Sequence, residues 1–340
     1  MAREREGMRK ERLDRGIKVR SDGVYSISSW REMSFLLAPR LLLILGLLIM
    51  PLVLVPAPYW QKVLIIVCIY AFLALGFDFL AHFVGLVSLG GALYIGVGAY
   101  VTAFFNVYLG LPIWLCIPLA TILGGGLCTL LLWPCLPLRG VYFAIVSLMF
   151  PLLSARLIEA LDVFGGTDGI MGLDGFSNSW WEMYVLISFM LIALFALRRL
   201  VNADMGLIFR GVKDNDQAVK ASGISITFYK AVGVFIASSL GCFGGACLAH
   251  IYMWAGISQF ALDFSIIPIA ATVVGGGGTL AGPVIGCLIL VPISELLRDF
   301  GTLRIAVYAL ILMGFIVFKS EGLMSFGSRK YNQFEHWVEI

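Results

Sequence analysis

Apolar runs recur along this chain at the roughly 20 residues that a helix needs to cross about 30 Å of hydrocarbon. They lack period-two alternation, and backbone in lipid must satisfy its own hydrogen bonds, so the runs predict helices and not the strands of a barrel. Composition closes the remaining escape. Of 340 residues, 60% are hydrophobic and only 13% are charged. Soluble domains carry about 25% charged residues, and a globule of this size needs a polar skin. The expected fold class is all-α: a polytopic membrane bundle.

The runs lie at 41–58, 63–83, 86–108, 112–136, 140–161, 182–200, 231–253 and 303–318. The stretch 264–298 is long enough for two more, hinged near Gly275–Pro283, or for one broken or re-entrant element. That makes about ten transmembrane helices. The chain divides into a leader over 1–40, a membrane domain over 41–318 and a tail over 319–340.

Net charge is only +3, but the distribution of Lys and Arg is uneven. Residues 1–40 hold ten of the 24, the segment 198–230 holds six and the tail holds three. The stretch 162–181 holds Asp162, Asp168 and Asp174 with no Lys or Arg. Basic flanks stay in the cytoplasm, so both termini and the loop 201–230 are expected inside and 162–181 outside. An even helix count then puts Arg139 inside and Trp60, Trp114, Trp180, Trp181 and Trp254 at the outer interface, where aromatic belts sit.

Enzyme chemistry finds no foothold. There is no G-x-x-x-x-G-K-[ST] phosphate loop, no G-x-S-x-G and no H-E-x-x-H. The seven cysteines lie in apolar runs without a C-x-x-C pair, and three scattered histidines propose no metal cluster. Three ionisable pairs sit near helix ends: Asp78 with His82, Arg156 with Glu159, and Glu295 with Arg298. Each pair shares a helix face and neutralises itself there. No acid is expected at mid-depth, which disfavours a proton relay.

Small residues repeat every fourth position at Gly278/Gly282/Gly286 and Gly241/Gly245/Ala249, a spacing that lets helices approach closely. A further cluster, Gly85 to Tyr100, is read either as tight packing or as the polar-backbone lining of a pathway. In the loop 201–230, Asp214 or Asn215 is placed to cap a short helix over 214–222, with Ala218 and Ala221 on its small face and Gly223 as its stop. That helix is either a connector or a knob for a soluble partner.

Five motifs in order resemble a known family, the permease subunits of branched-chain amino acid ABC importers, of the M type, with urea and amide permeases as close relatives. They are Gly85–Tyr100 (including Ser88, Gly90, Gly91, Tyr94, Gly96 and Gly98), Leu138–Ala144, the Gly165-Gly166-Thr167-Asp168-Gly169 loop, the Asp216/Ala218/Gly223/Ile224 segment, and Gly276 to Pro283. Gly91 stands where the family often has His, and Lys220 where an acid is common. The resemblance implies half of a translocation pathway in a bacterial inner membrane. Its implied partners are a second homologous permease, two cytoplasmic ATPases that carry the ATP, and an external solute-binding protein; no cofactor is implied on this chain and no nucleic acid. It assigns Asp214, Asp216, Ala218, Ala221, Gly223 and Ile224 to ATPase coupling. Ser88, Gly90, Gly91, Tyr94, Gly96, Gly98, Tyr100, Gly276, Gly278, Gly282 and Gly286 fall to the pathway or to helix packing. Gly165, Gly166, Asp168 and Gly169 form the external loop. A self-sufficient carrier or channel is the rival reading.

Overall fold

The computed structural model describes residues 8–12, 41–42, 44–52, 58–138, 140–176, 179–297, 310, 313–314, 322–324 and 335–339. Arg139, Ser177, Arg298 and most of the run 303–318 lie outside the described residues, as does most of the leader. Helix α1 is described over 44–52. It is followed by α2 (Pro58–Phe79), α3 (Gly91–Ala103), α4 (Ile113–Leu132), α5 (Val141–Leu161) and α6 (Ser179–Val201). Two short polar helices come next, α7 (Asp204–Asp214) and α8 (Asp216–Ala221). The last described helices are α9 (Ile226–Tyr252), α10 (Asp263–Gly275) and α11 (Ala281–Leu296). Wider π-type turns extend α2 through Leu80–Val84 and α3 through Phe104–Tyr108.

Seven stretches among the described residues are long and apolar enough to cross a bilayer, and α11, with 16 residues, is shorter. The architecture is a mostly helical, multi-pass membrane bundle. Two small antiparallel ribbons accompany it: β1 (Met8–Arg12) with β4 (Glu335–Glu339), and β2 (Ile170–Met171) with β3 (Trp254–Ala255). The first brings the two ends of the chain together.

Several expected boundaries shift. The second run begins earlier, at Pro58, since proline is well tolerated at a first helical position and the polar Gln61 and Lys62 are carried in the first turns. The third begins at Gly91 and not at 86: Gly85, at φ 82°, closes the preceding turn in the left-handed region, and 86–90 is not helical. The stretch 264–298 is two helices with a break over 276–280, where Gly276 and Gly278 take positive φ. A Cβ on Gly286 would strike the Ala271 backbone, and one on Gly275 would strike Gly282, so α10 and α11 lie against each other as an antiparallel hairpin.

Burial separates a hub from a rim. The α2 span is 89% buried and the α5 span 22%. Glycines let the hub close. Gly98 meets the backbone of Cys242, and Gly245 that of Ile95, so α3 and α9 cross with almost no side chain between them. Six of the seven cysteines are buried as small apolar groups, and all seven are free of disulfides.

Candidate functional site

Among the described residues, the helical ladder inside the bundle gives way at 85–90 and at 276–280. Backbone there must find partners from elsewhere.

At the first interruption, 85–90, and in the first turn of α3, serines of the break itself, of α5 and of α10 supply them. Leu89 N–H donates to Ser147 Oγ of α5 (2.9 Å), Gly90 N–H to Ser88 Oγ (3.3 Å), and Ala92 N–H to Ser265 Oγ of α10 (3.0 Å). Ser88 Oγ also lies 3.1 Å from the Tyr94 hydroxyl. Ser88, Gly91, Tyr94 and Ser265, with Phe77 and Phe264, line a cavity of about 20 Å³. That is space for about one water. The Gly91 position is filled from outside: a Cβ there would lie 2.7 Å from the Phe264 carbonyl oxygen. A larger side chain at this position does not fit this packing.

The other predicted residues of this helix divide. Gly96 packs on the Phe260 ring and Gly98 on Cys242, so both serve close approach. Tyr100 stacks on Phe260 (5.8 Å between centroids) and meets Phe164 edge-on, with its hydroxyl unpartnered among the described residues.

At the second interruption one carboxylate does the work. Asp78 of α2 is fully buried. Its Oδ1 accepts from Gly278 N–H (2.6 Å) and its Oδ2 from Leu280 N–H (3.1 Å). His82 Nδ1 lies 2.8 Å from Oδ1, at ion-pair distance but without hydrogen-bond alignment. The expectation of a self-neutralising interfacial pair therefore described half of the arrangement. Thr279 completes the turn: its hydroxyl donates to Gly276 O (2.8 Å) and accepts from Gly282 N–H (2.9 Å), which caps α11. Gly276 and Gly278 thus belong to the break, while Gly282 and Gly286 lie in the hairpin contact. The other two pairs fare differently. Arg156 and Glu159 meet at 2.7 Å on an exposed face, whereas Glu295 accepts from the Tyr59 hydroxyl (2.7 Å) and Arg298 is not described.

The loop 201–230 is mostly helical. Its amphipathic first helix, α7, was missed because it is short and half polar, unlike a membrane span. Phe209, fully buried, meets Phe79 of α2 edge-on at 5.5 Å. Arg210 lies over the Phe83 ring (5.8 Å), and Lys213 Nζ donates to the His82 carbonyl (2.9 Å). The predicted helix 214–222 shortens to α8, 216–221. Asp214 is not its cap but ends α7, because Asn215 takes an extended conformation between the two and its Oδ1 accepts from Gln217 and Ala218 N–H. Asp216 pairs with the buried Lys230 of α9 at 3.5 Å, which moors α8 to the bundle. Asp214, Ala218, Ala221 and Gly223 are exposed and Ile224 is half-buried.

The acidic loop packs at the other end of α9. Gly165, Gly166 and Gly169 all take positive φ, and a Cβ on Gly169 would strike the Ala255 carbonyl. The Asp168 carbonyl accepts from Trp254 Nε1 (2.8 Å). Sequence reading missed a chain of polar contacts beside it. Asp174 N–H donates to Asn106 Oδ1 and Asn106 Nδ2 to Asp174 Oδ2, both at 2.9 Å. His250 Nδ1–H donates to the Asp174 carbonyl (2.8 Å), leaving Nε2 beside the Thr102 hydroxyl at 3.0 Å. No sequence spacing links residues 102, 106, 174 and 250; only the fold does. Among the described residues no group of three or more metal-ligating side chains occurs.

The sequence model of the family described as "Branched-chain amino acid transport system / permease component" matches residues 59–319. The chain belongs to this family. Among its relatives is the high-affinity branched-chain amino acid transport system permease protein LivM of Salmonella typhimurium, 27% identical over 75% of this chain and 68% of that protein. LivM of Escherichia coli is 26% identical over the same shares. A probable branched-chain amino acid transport permease protein LivM of Methanocaldococcus jannaschii is 26% identical over 64% of this chain and 71% of its own length. No solved structure matches.

Proposed function

We propose that this chain is a permease subunit of an ATP-driven importer for branched-chain or similar small amino acids. In this reading it sits in the bacterial inner membrane with both termini inside. A second homologous permease completes the pathway, two cytoplasmic ATPases supply the energy and carry the ATP, and an external binding protein delivers the solute. The observation that carries the reading is the family match over 59–319, which includes both interruptions and the arm α7–α8.

The geometry supports a division of labour. The serine-capped break and its closed cavity form the constriction of the pathway. The exposed α8 is the contact for the ATPase. A six-residue helix has no stability of its own, since isolated helices below about 12–15 residues are marginal in water. It is held by Asp216–Lys230 and presents Ala218 and Ala221 outward. The acidic loop and the arm lie at opposite ends of the 27-residue α9, as they must if one faces outside and the other the cytoplasm. The pairing of 8–12 with 335–339 supports termini on one side. Against a proton-coupled carrier stands the occupation of Asp78, whose two oxygens both accept from backbone N–H.

The test is uptake of labelled leucine, isoleucine, valine, urea and acetamide by the assembled complex with Ala218→Arg as the diagnostic variant. Expected is ATP-dependent uptake of the branched-chain amino acids, lost in Ala218→Arg while the subunit remains inserted. Full uptake by that variant would reduce α8 to a connector, and uptake of the amides alone would reassign the substrate. Impermeant labelling of single cysteines at Met171 and Ser222 in intact cells fixes sidedness: labelling at 171 and not at 222 is expected, and the reverse inverts the topology.

A further inference from the structure

The arm and the second interruption are joined by a short continuous set of contacts that helix packing alone does not require. Lys213 of α7 donates to the carbonyl of His82 in the terminal turn of α2 (2.9 Å). The same turn ends at Gly85, whose missing side chain makes room for Lys213: a Cβ there would lie 3.0–3.1 Å from Lys213 carbons. The His82 ring in turn sits against the break, since a Cβ on Gly277 would run into it, and its Nδ1 is 2.8 Å from Asp78. Asp78 holds the amides of Gly278 and Leu280. The break itself is conformationally loaded, with positive φ at Gly276, Gly278 and the non-glycine Leu280 (59°).

We infer that Lys213, His82 and Asp78 form a positioning relay by which movement of the arm sets the conformation of the α10–α11 break. The inference rests on the proposed reading of the chain as an ATP-driven permease. The three side chains touch no solute; they act through the backbone of 276–280. Two features make the relay stiff. The wide turn 80–84 is clamped on the arm by Phe209 against Phe79 and by Arg210 over Phe83, so α7 does not move without it. Downstream, both oxygens of one carboxylate are committed to the break, so a shift of α2's end reaches Gly278 and Leu280 together. For coupling, this strained break must have a second arrangement that the position of the arm selects.

The experiment uses the complete transport complex in proteoliposomes, with uptake and ATP hydrolysis measured on the same preparation. Lys213 is exposed, so Lys213→Met leaves the bundle intact and removes only the donor to His82. Expected is a fall of at least fivefold in solute taken up per ATP hydrolysed, with hydrolysis itself retained and Lys213→Arg restoring the ratio. His82→Ala should give a similar loss, and the double variant no more than either single one, as for members of one unit. A purely structural role would lower the amount of complex and leave the ratio unchanged. A second measurement needs no transport: backbone hydrogen exchange over 276–282, which should quicken in Lys213→Met although residue 213 touches none of those amides. Wild-type complex without ATP-driven uptake overturns the proposed function, and the exchange data then still decide the relay. An unchanged uptake ratio together with unchanged exchange in Lys213→Met overturns the relay and leaves the proposed function standing.

Discussion

The two interruptions of the bundle solve one problem by opposite means. At 85–90 and the first turn of α3 the stranded backbone donors are shared among the hydroxyls of Ser88, Ser147 and Ser265, neutral groups from the break itself, α5 and α10. At 276–280 two donors converge on the single carboxylate of Asp78. The first arrangement is dispersed: each hydroxyl serves a different donor, so removing one does not strand the others. The second is concentrated, so the break and α2 stand or fall together. Hydrogen bonds to a charged acceptor are also the stronger kind, roughly twice the neutral ones. The difference teaches that unwound backbone inside one membrane protein need not have one purpose.

The contrast breaks most visibly at Asp78. Asp78→Leu leaves the amides of Gly278 and Leu280 buried without an acceptor, at about 1–3 kcal/mol for each. The expected outcome is the largest loss of folded protein of any single substitution discussed here, read as yield of monodisperse subunit and as its unfolding temperature in detergent. Asp78→Asn keeps one acceptor oxygen and should fall between. If Asp78→Leu were as stable as the parent, the concentrated break would be no clamp at all.

Next in size is the hairpin that the concentrated break joins. Gly286→Leu forces a side chain into the Ala271 backbone, and overpacking of this kind costs about 1–3 kcal/mol or more. It should impair assembly far more than Leu310→Val on an exposed position. Equal, near-normal transport from both would mean that α10 and α11 do not lie together in the membrane.

The dispersed break should yield by smaller steps. Ser147→Ala and Ser265→Ala each remove one hydroxyl acceptor, worth about 1 kcal/mol, and the two together should sum, because no partner is shared. A double variant much worse than the sum would show that the first break is a unit like the second. Smallest of all is Glu159→Gln, which breaks an exposed ion pair with Arg156. Pairs of that kind contribute little, so the unfolding temperature should stay within experimental error.

The legibility of these features followed distance along the chain. The run Gly276 to Pro283 was visible as a motif, and Asp78 with His82 as a pair one turn apart. That they form one structure was not visible, since 200 residues separate Asp78 from Gly278. The short capped helix of the arm was placed within two residues at its start and one at its end, because an Asn cap and a Gly stop are local chemistry. Helix α7 escaped notice although it is amphipathic, because at eleven residues and half polar it lies below the length and hydropathy by which the spans are read.

By itself the sequence determined that the chain is a helical bundle crossing a membrane many times, since runs of apolar residues in lipid have no other way to satisfy their backbone. It also marked the second break, near Gly275–Pro283, because clustered glycine lowers the cost of leaving the helix, whereas it ran a span from 86 through the first. Only the tertiary structure decided which helices form the hub and which the rim, α2 and α5 being apolar alike yet 89% and 22% buried. It alone chose the groups that repair each break. Hydropathy reports a preference for leaving water, which lipid and protein satisfy equally well; a stranded N–H needs one particular oxygen, and its position is a property of the folded chain.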